Sequence, residues 1–313
     1  IERSGIAVDS SLKAFAAGVQ AASSPPAESV THVVAQPRLG PVLTLLAARV
    51  QAEFPQGSHA VLLAGIQRLA DYQDVAYATE YLDFLKPIAA IERQRGADDC
   101  PLLRETGRYL ALWMSYEDAI RVADLKSRRT RFERVQREAR VGSEQMLLIN
   151  EFLYPRIEEF ADIMPAALGG WMVRTGWVRR LADRMAGHGK VLNTTSILGF
   201  SQLYFLASLR RWRRKSLRFK REQERIAGWL SQVKETAANN YDLAVELAEC
   251  PRLVKGYGDT HALGSRNFES LMDALPTLRK IPDGAARLKR LRELALADDT
   301  GKKLADALKE LSL

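Results

Sequence analysis

The residues able to do chemistry in this chain of 313 are few and widely spaced. Its four histidines, His32, His59, His188 and His261, fall in no metal-ligand pattern. Cys100 and Cys250 are too few for a disulfide framework or a self-contained iron–sulfur site. Each precedes a proline, which marks a helix boundary. Gly187-His188-Gly189-Lys190 invites comparison with a phosphate loop. One residue separates its glycines where the Walker pattern needs four, and Val191 stands where a Ser or Thr is required. Asn193-Thr194-Thr195 fits a glycosylation acceptor, a pattern common by chance and idle without secretion. No catalytic residue and no metal site is expected.

The most unusual loop is Lys255-Gly256-Tyr257-Gly258-Asp259-Thr260-His261. Its glycines permit backbone turns closed to other residues, and Asp259 or Thr260 could cap a helix starting near His261. Free N–H groups at that start, with Lys255 and His261 beside them, would make an anion site. The plainer reading is a rigid corner, because a capped start satisfies the same groups without a ligand. Trp113-Met114-Ser115-Tyr116-Glu117-Asp118 ends an apolar helix in an acidic turn. Adjacent carboxylates on a helix point about 100° apart, which does not suit paired acid–base work. Glu117 with Arg121 and Asp124 with Arg128 have the spacing of ordinary helix ion pairs.

The stretch that must position such groups is Leu198 to Val233. From Phe205, apolar or small residues recur at Leu209, Trp212, Ser216, Phe219, Gln223, Ile226, Leu230 and Val233, the seam of a helix packed along others. No proline interrupts it, and Gly228 is its one weak position. At 1.5 Å per residue it predicts a single spine roughly 50 Å long. Between seam positions lie Arg210, Arg211, Arg213, Arg214, Lys215, Arg218, Lys220 and Arg221. These eight account for the whole formal charge of +8, since 38 basic and 38 acidic residues remain elsewhere. The patch is read first as a solvated face with Arg218–Glu222 and Lys220–Glu224 pairs, and second as a dock for an acidic protein. Nucleic acid comes a distant third, because Trp212 and Phe219 fall on the seam and are not free to stack.

A hydrophobic content of 47% with 27% charge describes a globular protein, not a disordered one. The pattern is helical nearly throughout, so the expected fold is mainly α: a multi-helix domain around one long helix, with at most a minor strand element. Ser58 is placed to cap a helix running to Lys86, and another is expected from Pro101 to Lys126. Glu144 to Tyr154 is the strand candidate, with no identifiable partner. Four prolines between Ser23 and Pro41 mark a linker, giving a terminal helix at 1–22, a linker at 23–41 and a helical domain at 42–313. The chain opens inside a helical pattern without methionine and is expected to be a piece of a longer polypeptide. No apolar run reaches the 18 or so residues of a membrane span, and free cysteines suit a cytoplasmic setting.

Five strings together resemble the C-terminal helical region of the bacterial indolepyruvate ferredoxin oxidoreductase beta-subunit family. They are Leu69–Tyr81 (LADYQDVAYATEY), Leu112–Arg128 (LWMSYEDAIRVADLKSR), Glu151–Pro155 (EFLYP), Leu209–Leu217 (LRRWRRKSL) and Leu253–Phe268 (LVKGYGDTHALGSRNF). Ile6–Gly18 resembles the tail of the preceding 2-oxoacid:ferredoxin oxidoreductase gamma-type domain. The resemblance implies a parent complex that oxidatively decarboxylates aryl pyruvates, with coenzyme A taking the acyl group and ferredoxin the electrons. It implies that thiamine diphosphate and the iron–sulfur clusters belong to a partner alpha subunit, leaving no cofactor in this chain. The role expected here is non-catalytic: subunit assembly, or docking of an acidic partner such as ferredoxin by the basic run. The alternative is that the KGYGDTH loop grips an anion such as a phosphate of coenzyme A.

Overall fold

A computed structural model of the chain describes residues 8–23, 40–96, 98–140, 145, 147–153, 157–177, 190–256 and 258–311. The chain divides into two units, Ile1–Pro37 and Arg38–Leu313. The first contributes α1 (Val8–Ser23). The second opens with a 3-10 turn at Pro41–Leu43 and then α2 (Thr44–Glu53), α3 (His59–Tyr72), α4 (Val75–Arg95), α5 (Pro101–Met114), α6 (Ala119–Ser127) and α7 (Arg129–Glu138). After strand β1 (Asn150–Leu153) come α8 (Ile157–Ile163), α9 (Ala166–Arg174), β2 (Lys190–Asn193) and α10 (Ile197–Ser208). A 3-10 segment, Leu209–Lys215, leads into α11 (Leu217–Asn239), α12 (Tyr241–Ala248), a 3-10 turn at Cys250–Leu253, α13 (Gly258–Leu278), α14 (Gly284–Leu296) and α15 (Lys302–Leu311). The fold is mainly α, and no helix among the described residues is long and apolar enough to cross a membrane.

The core follows from residues three or four apart that share one helix face. Leu62, Ile66 and Leu69 of α3 meet Tyr81, Leu82 and Leu85 of α4 and Leu103 and Leu110 of α5, all fully buried. Ile226, Trp229 and Val233 of α11 join Leu243 and Leu247 of α12 and Leu271 and Leu275 of α13 in the same cluster. Each such side chain contributes about 1.5–3 kcal/mol on burial. From Ser216 onward the expected seam holds, with Ser216, Ile226, Leu230 and Val233 buried.

The long helices expected from periodicity are interrupted, each time at a short polar residue that caps a new helix. The 58–86 run breaks after Tyr72, where Asp74 Oδ1 accepts from Tyr77 N at 2.8 Å and starts α4. Ser58 caps nothing with its side chain and instead donates to the Pro55 carbonyl at 2.7 Å. The 101–126 run breaks before Asp118, whose Oδ1 accepts from Arg121 N at 2.6 Å. The spine breaks at Ser216, which is extended (φ −73°, ψ 156°) and whose Oγ accepts from Phe219 N at 3.2 Å. Leu217 N donates to Met164 O at 2.9 Å, so another chain segment takes the hydrogen bond that a continuous helix would use. The spine is therefore α10, a 3-10 segment and α11, not one rod. Phe205 and Trp212, expected on the packed seam, are exposed.

The strand candidate shortens to β1, and its partner is β2, antiparallel with Asn150 opposite Asn193 and Leu153 opposite Lys190. The partner strand begins at Lys190 of the GHGK string, whose other residues, Gly187, His188 and Gly189, lie outside the described residues. Gly169 and Gly170 sit inside α9. A Cβ on Gly169 would lie 2.2 Å from the Ala161 carbonyl oxygen, so the glycine is there for close packing. Both cysteines are buried at helix starts, as their prolines indicate, and neither is in a disulfide.

Candidate functional site

Two of the sequence's candidate regions converge in space. Arg218 and Arg221 from the start of α11, and His261 from the first turn of α13, line one cleft of about 720 Å³. Arg225 and Arg266 complete its cationic lining, while Glu222, Glu224 and Glu269 supply carboxylates. Ser265, one helical turn after His261, lines it too. The two helices present these groups because Arg218, Arg221, Glu222 and Arg225 recur at three- and four-residue spacing, as do His261, Ser265 and Glu269.

The α11 side is anchored from below. Trp113 Nε1 donates to Glu222 Oε2 at 2.8 Å, and the Trp113 ring packs edge-on against Phe268 at 5.1 Å between centroids. Glu222 Oε1 lies 2.6 Å from Arg218 Nε, out of line for a hydrogen bond, so the pair is ionic in character. Arg218 also reaches Asp162 Oδ2 at 3.5 Å, and Arg221 reaches Asp162 Oδ1 at 3.3 Å. Burial raises the Asp162 carboxyl above the usual carboxylate range, outweighing the pull of the two guanidinium groups.

His261 Nε2 lies 2.7 Å from Arg218 Nη2. An arginine only donates, so Nε2 accepts and the ring is neutral with its proton on Nδ1. Burial, followed by the neighbouring Arg218 charge, pushes its pKa down to about 4. Glu222 Oε1 at 3.9 Å therefore faces an uncharged ring. With its Nε2 lone pair occupied, His261 is poorly placed as a general base, and the arrangement is one for binding. Ser265 is 7% exposed, and its Oγ has no hydrogen-bond partner. Arg225 is held by Glu269 at 2.7 Å and Glu224 stands 3.9 Å from Lys220. Arg266 is exposed with no carboxylate partner among the described residues. Four arginines thus face three glutamates, and with Asp162 and Lys220 cancelling, one positive charge is uncompensated.

Among the described residues of the KGYGDTH loop, only His261 lines the cleft. Gly256 and Gly258 adopt φ of +74° and +61°, the left-handed turns that glycine permits. Asp259 and Thr260 belong to the first turn of α13, Lys255 is exposed, and Tyr257 lies outside the described residues.

The rest of the basic run is mostly engaged elsewhere. Arg213 is 1% exposed, which corrects the expectation of a solvated or docking cation at that position. Its Nε donates to Asp118 Oδ2 at 2.8 Å, and its Nη1 donates to Tyr72 O at 2.9 Å and Gln73 Oε1 at 3.0 Å, with the guanidinium 4.2 Å from the Tyr72 ring centroid. Arg210 Nε donates to Gln73 O at 2.7 Å, and Arg214 pairs with Glu80 at 2.5 Å. The three helix breaks near Gln73, Asp118 and Ser216 are therefore drawn together around one buried guanidinium. The expected Arg218–Glu222, Lys220–Glu224 and Asp124–Arg128 pairs form. Arg121 pairs with Asp71 and Asp124, each at 2.9 Å, in place of Glu117. Sequence spacing missed Arg225, Arg266, Ser265 and Glu269; their periodic placement on one face of each helix was the signal available.

The sequence profile of a family of unknown function, DUF6537, matches residues 58–274, a span that includes every residue of the cleft. No curated protein and no solved structure matches the chain.

Proposed function

The chain belongs to the DUF6537 family, and we propose that it is a non-catalytic helical module whose cleft between α11 and α13 holds one phosphate-type anionic group. The observation that carries this reading is the uncompensated charge: Arg266 stands free at the rim of a cleft whose other cations are already matched. A single residual charge suits one terminal phosphate rather than a polyanion, since each further negative charge would have to displace a carboxylate. Guanidinium groups are the natural partners of such a ligand. The neutral His261 keeps Arg218 in place without adding charge.

The KGYGDTH and MSYEDAIRVADLK strings, with the three others, support placing the module in an indolepyruvate-type 2-oxoacid:ferredoxin oxidoreductase. Coenzyme A then supplies the phosphate, and thiamine diphosphate and the iron–sulfur clusters belong to the partner subunit. Docking of ferredoxin by the whole basic run has less support, because six of its eight cations have partners within the chain. Titration calorimetry of the chain with coenzyme A, and with dephospho-coenzyme A lacking the ribose phosphate, tests the reading. It requires binding that weakens at least tenfold when that phosphate is removed. Equal affinity for both, or no heat from either, would remove it.

A further inference from the structure

α10 has the sequence ILGFSQLYFLAS and is apolar on nearly every side, the composition of a helix that is covered all round. Only one side is covered here: Gly199 and Leu203 are buried where α10 packs on α6. On the opposite side Ile197 is 90% exposed, Tyr204 64% and Phe205 68%, and the row continues to Trp212 at 45% in the 3-10 segment. Large exposed apolar side chains gathered on one side of a helix mark an interaction site.

The charges beside it say what covers it. Arg211 and Lys215 are exposed and have no carboxylate partner among the described residues, and Lys215 Nζ lies 5.0 Å from the Trp212 ring centroid. No Asp or Glu occurs anywhere from 197 to 215. A second copy of this chain laid along the same surface would bring no carboxylate from that segment to these cations. A lipid surface would call for basic residues within the helix, whereas the polar residues of α10, Ser201, Gln202 and Ser208, are all uncharged. We propose that the exposed side of α10 and of Leu209–Lys215 docks a second protein, whose contact patch is apolar at its centre with carboxylates opposite Arg211 and Lys215. The apolar row supplies affinity, and the two cations supply encounter rate and orientation.

The choice of probe rests on the proposed oxidoreductase assembly: the purified thiamine-diphosphate-bearing subunit, immobilised and titrated with the chain at low and high salt. The expected result is binding that weakens at least tenfold in Tyr204→Ser/Phe205→Ser, whose side chains are exposed and whose loss leaves folding intact by circular dichroism. Arg211→Glu/Lys215→Glu should slow association and flatten its salt dependence. Binding that both double variants leave unchanged would overturn the docking surface while leaving the assembly standing. No binding by the wild-type chain would overturn both. Sedimentation as a dimer, or binding to phosphatidylglycerol vesicles, that is lost in Tyr204→Ser/Phe205→Ser would also overturn the proposal, by identifying a different occupant.

Discussion

Arg213 shows how a residue that looks like surface charge can be a keystone. Its guanidinium satisfies Asp118, the Tyr72 carbonyl and Gln73 at once, and Asp118 in turn caps α6. Arg213→Met would leave the Asp118 carboxylate buried without its counter-charge. A loss of about 3–5 kcal/mol is expected in urea unfolding, with partial recovery in Arg213→Met/Asp118→Asn. His261 carries a pH dependence of definite sign. Its pKa is about 4 in the folded chain against the model-peptide value near 6.5, so the folded state binds fewer protons between those pH values. The stability it contributes is complete above about pH 6.5 and is lost as pH falls towards 4. His261→Gln should flatten the urea midpoint across that window, and an unchanged slope would show that His261 is not the neutral acceptor described.

At the scale of elements, the helical class was legible from apolar spacing, and so was a helix starting near His261, which the structure begins at Gly258. The breaks were not, because Asp74, Asp118 and Ser216 fit a continuous helix pattern as well as they fit a cap. What decides is a long-range partner, such as Met164 O for Leu217 N, which spacing cannot reveal. The cleft was half legible: the basic run and the KGYGDTH loop were both marked, but their meeting through Arg218 and His261 depends on how α11 and α13 cross. Two glycines on these helices predict opposite outcomes. A Cβ on Gly264 would lie 2.1 Å from Leu253 O, so Gly264→Ala should cost about 1–3 kcal/mol through forced separation of α13 from the Cys250–Leu253 turn. Gly228 faces open space in the middle of α11, and Gly228→Ala should raise stability by about 0.5–1 kcal/mol. Thermal unfolding of the two variants checks both signs.

For the molecule as a whole, the chain's formal charge of +8 misleads if read as one free patch. Most of the run is spent inside the fold; of its eight cations Arg211 and Lys215, beside α10, have no carboxylate partner among the described residues, and Arg266 adds a cation of the same kind at the cleft. The two places differ in chemistry: a single cation in a recess, and two cations beside exposed apolar side chains. The recess is the central claim. Its most direct test is the affinity of Arg266→Ala for coenzyme A, because Arg266 is exposed and its loss breaks no ion pair among the described residues. The account predicts an unfolding temperature equal to wild type and an affinity reduced about tenfold or more, the equivalent of at least about 1.4 kcal/mol. An Arg266→Ala chain that binds coenzyme A as tightly as wild type would contradict it.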